Sequence, residues 1–458
     1  MGMYLLYYKS WEVIMRVVII GAVAAGTSAA TEIRRNDKEA EIIIYDKDRY
    51  ISYAGCGMPF YISNEFRNLN GLIPRNPEFF KSKSNIDVMV EHEVLSINSD
   101  GKKVIVKNIL TDDVFCDTYD KLVIATGATS GIPEIKGVGR ENVFLLRNIN
   151  DMNRIKNFID KKAPKKAAII GSGFIGMEMC ESFKNLGIDV TLIARSSVSK
   201  GIDKDMSIYI EDYLREKGIN IYTNTPIEEI IESGVVIGGG RIVNADIILI
   251  AAGIKPNVKL AAEAGVELGA TGAIKVDKYM RTNIDGIYSC GDCAEVYNCV
   301  TGKAIYRPLG STANKTGTIA GRNISGISEM FRGILGTGIY RIFDMTVGQT
   351  GLSEEEAKKQ GYKTVAVIDQ KTDKPEYMGG KPIIIKAVAE EKTGTLLGVQ
   401  VIGFDGVDKR LDVLVTAISL KAKAEDLVHL DLAYSPPYSI PRDPVYYIGA
   451  KLRAALNK

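Results

Sequence analysis

The sequence predicts an α/β protein: two Rossmann-like units followed by a C-terminal α+β domain. Three observations predict it. A short apolar run ends in a glycine-rich turn that opens a helical pattern twice, at GAVAAG (21–26) and at GSGFIG (171–176). Each turn is followed by a second apolar run, which completes a βαβ unit. From about Gly338 the texture changes to longer strand patterns, one helix and a tail rich in proline and tyrosine.

Taken in order, Arg16–Ile20 reads as the first strand, Thr27–Arg35 as a helix with a basic end, and Glu41–Tyr45 as a second strand ending at Asp46. Strand patterns follow at Val88–Val90, Val104–Val106 and Leu122–Ala125, the last closing on the ATG turn of Ala125, Thr126 and Gly127. The second unit runs through a strand at Lys165–Ile170, a helix at Met177–Leu186 and a strand at Asp189–Ile193. It closes with Ala245–Ala251 and a second strand-to-glycine turn, AAG, ending at Gly253. The chain then returns to the first domain through IYSCGDCAE (287–295) and PLGSTANKTG (308–317), a loop opening a helix. In the last part, Ile383–Ala389 and Leu396–Ile402 read as strands and Val407–Leu420 as a helix. The expected division is 1–14 as an N-terminal extension, 15–140 and 257–334 as one nucleotide-binding domain in two parts, 141–256 as a second, and 335–458 as an interface domain. Met15 is the expected natural start.

Composition narrows the function. A net charge of +2 gives no global field to recruit nucleic acid or a membrane surface. The longest uncharged N-terminal run, 17–31, is glycine-broken and shorter than the roughly 20 residues a membrane span needs. Six cysteines in 458 residues are too few for a secreted disulfide framework, which points to a reducing cytoplasm. With only His92 and His429, a histidine-rich metal site is excluded by count. Cys290 and Cys293 form a CxxC without a fourth ligand in view, so neither a metal site nor a working disulfide is expected there.

The glycine turns imply phosphate contacts, because glycine lets the backbone approach a pyrophosphate and the helix start supplies donors. In the first turn Val23 takes the place of the usual middle glycine, and Asp46 is placed to accept from a ribose hydroxyl. After the strand at Asp189–Ile193 no acid follows. Ala194, Arg195, Ser196 and Ser197 stand there, and Arg195 could pair a 2′-phosphate. NADPH is therefore expected ahead of NADH.

Cys56 is the sharp feature of SYAGCGMPFY (52–61). It lies between Gly55 and Gly57, with Pro59 suited to a first helical turn, so a helix N-terminus is expected to favour its thiolate. No second cysteine lies within local disulfide reach, so its redox partner must be a substrate sulfur or an oxygen. Far downstream, AYSPPYSIPRDP (433–444) presents Tyr434 and Tyr438 on a proline-stiffened segment followed by Arg442, and tyrosine hydroxyls can donate to a developing thiolate.

Together these residues resemble the flavin-dependent pyridine nucleotide-disulfide oxidoreductases over 15–458, and within them the single-cysteine coenzyme A-disulfide reductases. The carrying stretches are GAVAAGTSAATEIRR (21–35), Cys56 with Pro59, GSGFIGMEM (171–179), GDCAE (291–295), GVDKRLDV (406–413) and AYSPPYS (433–439). The resemblance implies that Gly21, Val23, Ala24, Ala25, Gly26, Asp46 and Lys47 hold the ADP part of FAD. It adds Ala125, Thr126 and Gly127 to that site, places Gly291 and Asp292 at the ribityl chain, and sets Ala313 near the isoalloxazine. For NAD(P)H it implies Gly171, Gly173, Phe174, Ile175, Gly176, Glu178, Arg195 and Gly253. Ser28, Arg35, Ser52 and Arg442 fall where the subfamily contacts coenzyme A, with Tyr438 beside them; Glu32 stands where it can carry glutamine, and Gly55 where asparagine is common. Tyr434, with Tyr377 in EYMGG (376–380), matches catalytic tyrosines that reach the site from the other subunit of a homodimer. Relatives that reduce oxygen or peroxide carry a histidine in the first turn, where this chain has Ala24. The implied enzyme takes a hydride from the nicotinamide to the flavin and reduces coenzyme A disulfide through a mixed disulfide on Cys56. The alternatives are polysulfide or persulfide reduction, a peroxide-forming NAD(P)H oxidase, and, from another class, a flavin-bound redox sensor or carrier that docks a protein.

Overall fold

The two glycine turns fold alike, for one steric reason. In the computed structural model, which describes residues 14–458, a Cβ at Gly26 would overlap the carbonyl of Gly21, and a Cβ at Gly176 that of Gly171. Only a residue without a side chain lets the helix start so close to the end of its strand. The expectations for residues 1–13 lie outside the described residues.

The first unit contains β1 (Arg16–Ile20), α1 (Ala25–Asn36), β2 (Glu41–Tyr45), α2 (Met58–Ile62), β3 (Asp87–Met89) and β4 (Lys121–Ile124). The second contains β5 (Val143–Phe144), β6 (Lys166–Ile170), α3 (Phe174–Asn185), β7 (Asp189–Ile193), β8 (Asn220–Tyr222) and β9 (Ile247–Ile250). Then come β10 (Ile287–Ser289) and α4 (Gly310–Ile324). The last part holds β11 (Gly338–Ile342), β12 (Met345–Gly351), α5 (Glu354–Lys359), β13 (Thr364–Thr372), β14 (Pro382–Glu390), β15 (Leu396–Gly403), α6 (Val407–Ser419) and α7 (Pro444–Leu456).

Two parallel sheets result, with strand orders β10-β4-β1-β2-β3 and β8-β7-β6-β9-β5. The chain leaves the first sheet after β4 and returns to it at β10. Central strands such as β9 are buried along their whole length, as strands of a sheet covered on both faces must be. The third sheet, β11-β12-β15-β14-β13, is antiparallel and carries α6 and α7. The fold is therefore the expected two Rossmann-like units with an α+β domain. The sequence reading did not anticipate β11–β13, nor two three-stranded antiparallel sheets at 92–118 and 227–244. The strand Val114–Thr118, for example, is mostly exposed, so no apolar alternation marks it.

A buried charge cluster ties the second unit to the third sheet. Lys386 of β14, only 3% exposed, lies 3.1 Å from Asp203, 2.7 Å from Asp205 and 2.8 Å from Glu354. Asp203 also accepts from the Glu354 backbone at 3.0 Å and from Gln400 at 3.1 Å. Lys386→Met leaves the buried Asp203 carboxylate without its cation, so it is expected to cost about 3 kcal/mol or more. The urea midpoint of the variant measures this, and an unchanged midpoint would deny the cluster any role in stability.

Candidate active site

All strands of each Rossmann-like sheet run one way, so the loops at their carboxyl ends converge on one edge. On the first sheet that edge collects Gly21–Gly26 after β1, Asp46 and Lys47 after β2, Ala125–Gly127 after β4, and Gly291 with Asp292 after β10. This is where open α/β sheets bind ligands. Asp46 accepts from the Ala22 N–H at 2.7 Å and the Asp48 N–H at 2.8 Å, so its carboxylate is locked against the glycine turn. Burial pushes the Asp46 carboxyl up, against those two hydrogen bonds. A cavity of about 580 Å³ opens beside it, lined by Gly21, Lys47, His92, Thr126 and Asn257 among others. Thr126 and Asn257 are stitched together by two hydrogen bonds, at 2.7 and 2.8 Å. A turn that excludes Cβ atoms, a fixed acid at the end of β2 and a cavity of ligand size fit the adenosine half of FAD.

Asp292 lies on the same edge. Its carboxylate pairs with Arg147 at 2.7 Å, and Arg147 also donates to the Ala128 carbonyl at 2.9 Å. Tyr306 donates its hydroxyl to the Asp292 carbonyl at 2.9 Å, and the Gly291 N–H donates to Thr316 of α4 at 3.0 Å. Ala313 is buried on α4, facing Gly291. Arg147 and Tyr306 were not anticipated from the sequence, and no motif marks either.

Cys56 occupies a 3₁₀ turn, Gly55–Gly57, ahead of the five-residue α2; the residue is exposed, but its sulfur is partly shielded by its surroundings. The expected help from a helix N-terminus does not prevail. Burial pushes the Cys56 thiol up, and the carboxylates of Glu178 and Asp292 push the same way against Arg147. A helix as short as α2 supplies little dipole to oppose them. Glu178, on α3 of the second unit, is itself pushed up to about 7 by burial and by Glu181. Ser182 of α3 donates to the Pro59 carbonyl at 2.9 Å, so the helix after the second glycine turn is tied to the cysteine's helix. The cysteine's helix is thus tied to α3, and the carboxylates of Glu178 and Asp292 act on the Cys56 sulfur. Beside it, a Cβ on Gly55 would meet nothing closer than Met58 and Tyr53 at 3.8 Å, which is ordinary contact.

Gly171, Gly173 and Gly176 with Phe174 and Ile175 form the turn after β6, and the other residues expected to meet NAD(P)H lie on the same edge, Arg195 after β7 and Gly253 after β9. Phe174 packs on Tyr340 of the third sheet, ring centres 5.5 Å apart. Arg195 is exposed and makes no ion pair among the described residues.

Around α1, Ser28 donates to Asn314 of α4 at 2.9 Å. Glu32 is buried and accepts from Arg322 at 2.8 Å, while the exposed Arg35 also pairs with it. Burial opposes ionisation of Glu32, yet Arg322, Asn36 and Arg35 hold its carboxyl below the usual range. Its place is beneath two arginines rather than open to a ligand. Ser52 has a left-handed backbone, φ 48°, and donates its N–H to the Ala22 carbonyl at 2.9 Å. Tyr377, Tyr434, Tyr438 and Arg442 lie exposed on the C-terminal domain, and no hydrogen bond joins them to Cys56 within one subunit among the described residues. Cys290 and Cys293 are buried, unpaired thiols, and Cys293 lies 3.4 Å from the Ile124 carbonyl. Among the described residues no cluster of His, Cys, Asp or Glu could hold a metal ion, and no helix is long and apolar enough to cross a membrane.

A sequence profile described as pyridine nucleotide-disulphide oxidoreductase matches residues 15–312, and that of the dimerisation domain of these oxidoreductases matches 339–443. A coenzyme A disulfide reductase of Staphylococcus haemolyticus is 35% identical over 441 residues, covering 96% of this chain and 99% of its own. The structure of an NAD-dependent persulfide reductase from A. fulgidus superposes with a TM-score of 0.93 at 38% identity, covering 96% of this chain and 83% of that one. An engineered water-forming NADPH oxidase, bound to NADPH, gives 0.92 at 28% identity, covering 97% of this chain and 99% of that one. Its substitutions, made in the NADH oxidase of Lactobacillus brevis, include Asp to Ala, Ala to Arg and Met to Ser at three consecutive positions.

Proposed function

Because the chain belongs to the pyridine nucleotide-disulphide oxidoreductases, which use FAD and NAD(P)H, we propose that it is an NADPH-dependent reductase of coenzyme A disulfide, working as a homodimer through Cys56. One observation carries this reading. Cys56 is exposed and feels the carboxylates of Asp292 and of Glu178 on α3, whereas Cys180 on α3 and Cys290 and Cys293 beside Asp292 are all buried. Residues 15–140 and 257–334 would hold FAD, 141–256 NADPH, and 335–458 the interface. With all six cysteines unpaired, we place the enzyme in the cytoplasm.

Bound at this edge, FAD supplies a two-electron link from NADPH to the cysteine, so that one disulfide, NADPH and a proton yield two thiols and NADP⁺. The chain's own residues do the rest. Asp46 and the glycine turn anchor the adenosine end, and Asp292 with Arg147 orients the middle of the dinucleotide. The Cys56 thiolate attacks one sulfur of the substrate. The S–S bond breaks, one thiol leaves and Cys56 retains the other half as a mixed disulfide. Tyr434, reaching across from the second subunit with Tyr377, gives its proton to the leaving thiolate. Ser28, Arg35 and Ser52 would line the coenzyme A channel, with Tyr438 and Arg442 facing it from the other subunit. The exposed guanidinium of Arg35 would offer that channel a donor for phosphates.

NADPH is supported by Ala194-Arg195-Ser196 directly after β7. The same triplet is installed in the engineered NADPH oxidase, beginning 18 residues after a substituted glycine, as Ala194 begins 18 residues after Gly176.

A second reading, persulfide or polysulfide reduction, is supported by the 38% identity to the persulfide reductase of A. fulgidus. One experiment separates the two. After anaerobic treatment with coenzyme A disulfide, mass spectrometry of the Cys56 peptide is expected to show one coenzyme A in disulfide linkage. A bare sulfur adduct formed only from polysulfide would favour the second reading, and no adduct from either donor would overturn both.

A further inference from the structure

Arg410 of α6 is 1% exposed, and its guanidinium is shared between two loop segments. On one side its Nε donates to Asp443 at 3.1 Å and Nη2 to the Ser439 hydroxyl at 3.3 Å. Ser439 in turn donates to Asp443 at 2.8 Å, and Asp443 caps α7 through the Val445 N–H at 3.0 Å. This pins the tail 433–443, which bears Tyr434 and Tyr438. On the other side Nη2 donates to the Asp373 carbonyl at 2.8 Å. Asp373 closes the base of the 373–381 lobe, exchanging two 2.9 Å hydrogen bonds with Lys381. That lobe bears Tyr377 in the 3₁₀ turn Glu376–Met378. The third nitrogen, Nη1, donates to the Gly406 carbonyl at 3.1 Å and anchors the fork to the start of its own helix.

A buried Arg–Asp pair stabilises a fold little more than well-packed apolar side chains would, and its best-attested use is to fix register. A planar fork with divergent donors can join two backbones, whereas the compact ammonium of lysine cannot span them. We propose that Arg410 is a positioning residue that holds the 373–381 lobe and the 433–443 tail in one register, so that Tyr377 and Tyr434 are presented together to the Cys56 of the second subunit. This rests on the reading of Tyr434 as the group that protonates the leaving thiol.

The test is a double-mutant cycle on the dimeric holoenzyme. Arg410→Lys is expected to lower kcat for coenzyme A disulfide by about tenfold in the native background and by less than about twofold in Tyr434→Phe, the non-additivity of groups acting as a unit. The rate of flavin reduction by NADPH is expected to stay unchanged in all three variants. Ser439→Ala, which loosens only the tail, is expected to show the same pattern with a smaller loss, and it serves alone if Arg410→Lys does not fold. Equal losses in both backgrounds, or slowed flavin reduction, would overturn the positioning role while leaving the tyrosine reading intact. A Tyr434→Phe enzyme with wild-type kcat would overturn both.

Discussion

Cys56→Ser holoenzyme is expected to accept electrons from NADPH at the wild-type rate and to pass none to coenzyme A disulfide. The thiolate, not the hydroxyl, attacks a disulfide, and a serine oxygen has no route to a mixed disulfide. Loss of a nucleophile acting within a catalytic unit typically costs several orders of magnitude, so turnover should fall by at least about 10³. No other sulfur can stand in. Cys180, Cys290 and Cys293 are buried, with thiols pushed up by that burial, and the exposed Cys116 and Cys299 sit on the 92–118 sheet and beside Arg332. The electron supply is separate. Asp46, the glycine turns and Arg195 do not touch the mutated atom, so anaerobic bleaching of the flavin by NADPH should persist. Stopped-flow spectra followed by a disulfide assay read both halves in one sample. Disulfide turnover at the wild-type rate in the serine variant would end the single-sulfur mechanism.

What the sequence could show was local. Gly26 and Gly176 were legible because their constraint acts within six residues of chain, between a strand end and the helix it feeds. Asp46 was legible for the same reason, being the last polar residue of a βαβ unit. The parts that escaped depend on distant chain. Arg147 meets Asp292 across 145 residues, and Glu32 meets Arg322 across 290, so nothing near either acid signals its partner. The expectation for the Cys56 thiolate failed in the same way. The helix start is local to the cysteine, whereas the burial that pushes its thiol up, and the Glu178 and Asp292 carboxylates that add to it, come from other parts of the fold. In β12, Thr346, Gly348, Gln349 and Thr350 interrupt the apolar pattern although most of the strand is buried. Tertiary cover overrides the local pattern there.

Tyr434→Phe is the second large effect. General-acid help of this kind is worth about 10²–10⁴ in rate, so turnover with coenzyme A disulfide should fall at least about tenfold, while flavin content and NADPH oxidation in the reductive half-reaction stay as they were. Stability should hardly move. The side chain is 49% exposed and its hydroxyl has no hydrogen-bond partner among the described residues, so the change belongs to the class of surface substitutions worth about 0.5 kcal/mol or less. The dimer allows a sharper form of the test. In a hybrid of one Cys56→Ser subunit and one Tyr434→Phe subunit, a tyrosine acting across the interface leaves one site doubly defective and the other whole. A two-fold dimer then retains about half the wild-type turnover. If the tyrosine served the cysteine of its own subunit, each site would lack one group and the hybrid would be as slow as the parent variants. Purified hybrids carrying two different affinity tags distinguish these outcomes, and activity at the level of the parents would remove Tyr434 from the partner's site.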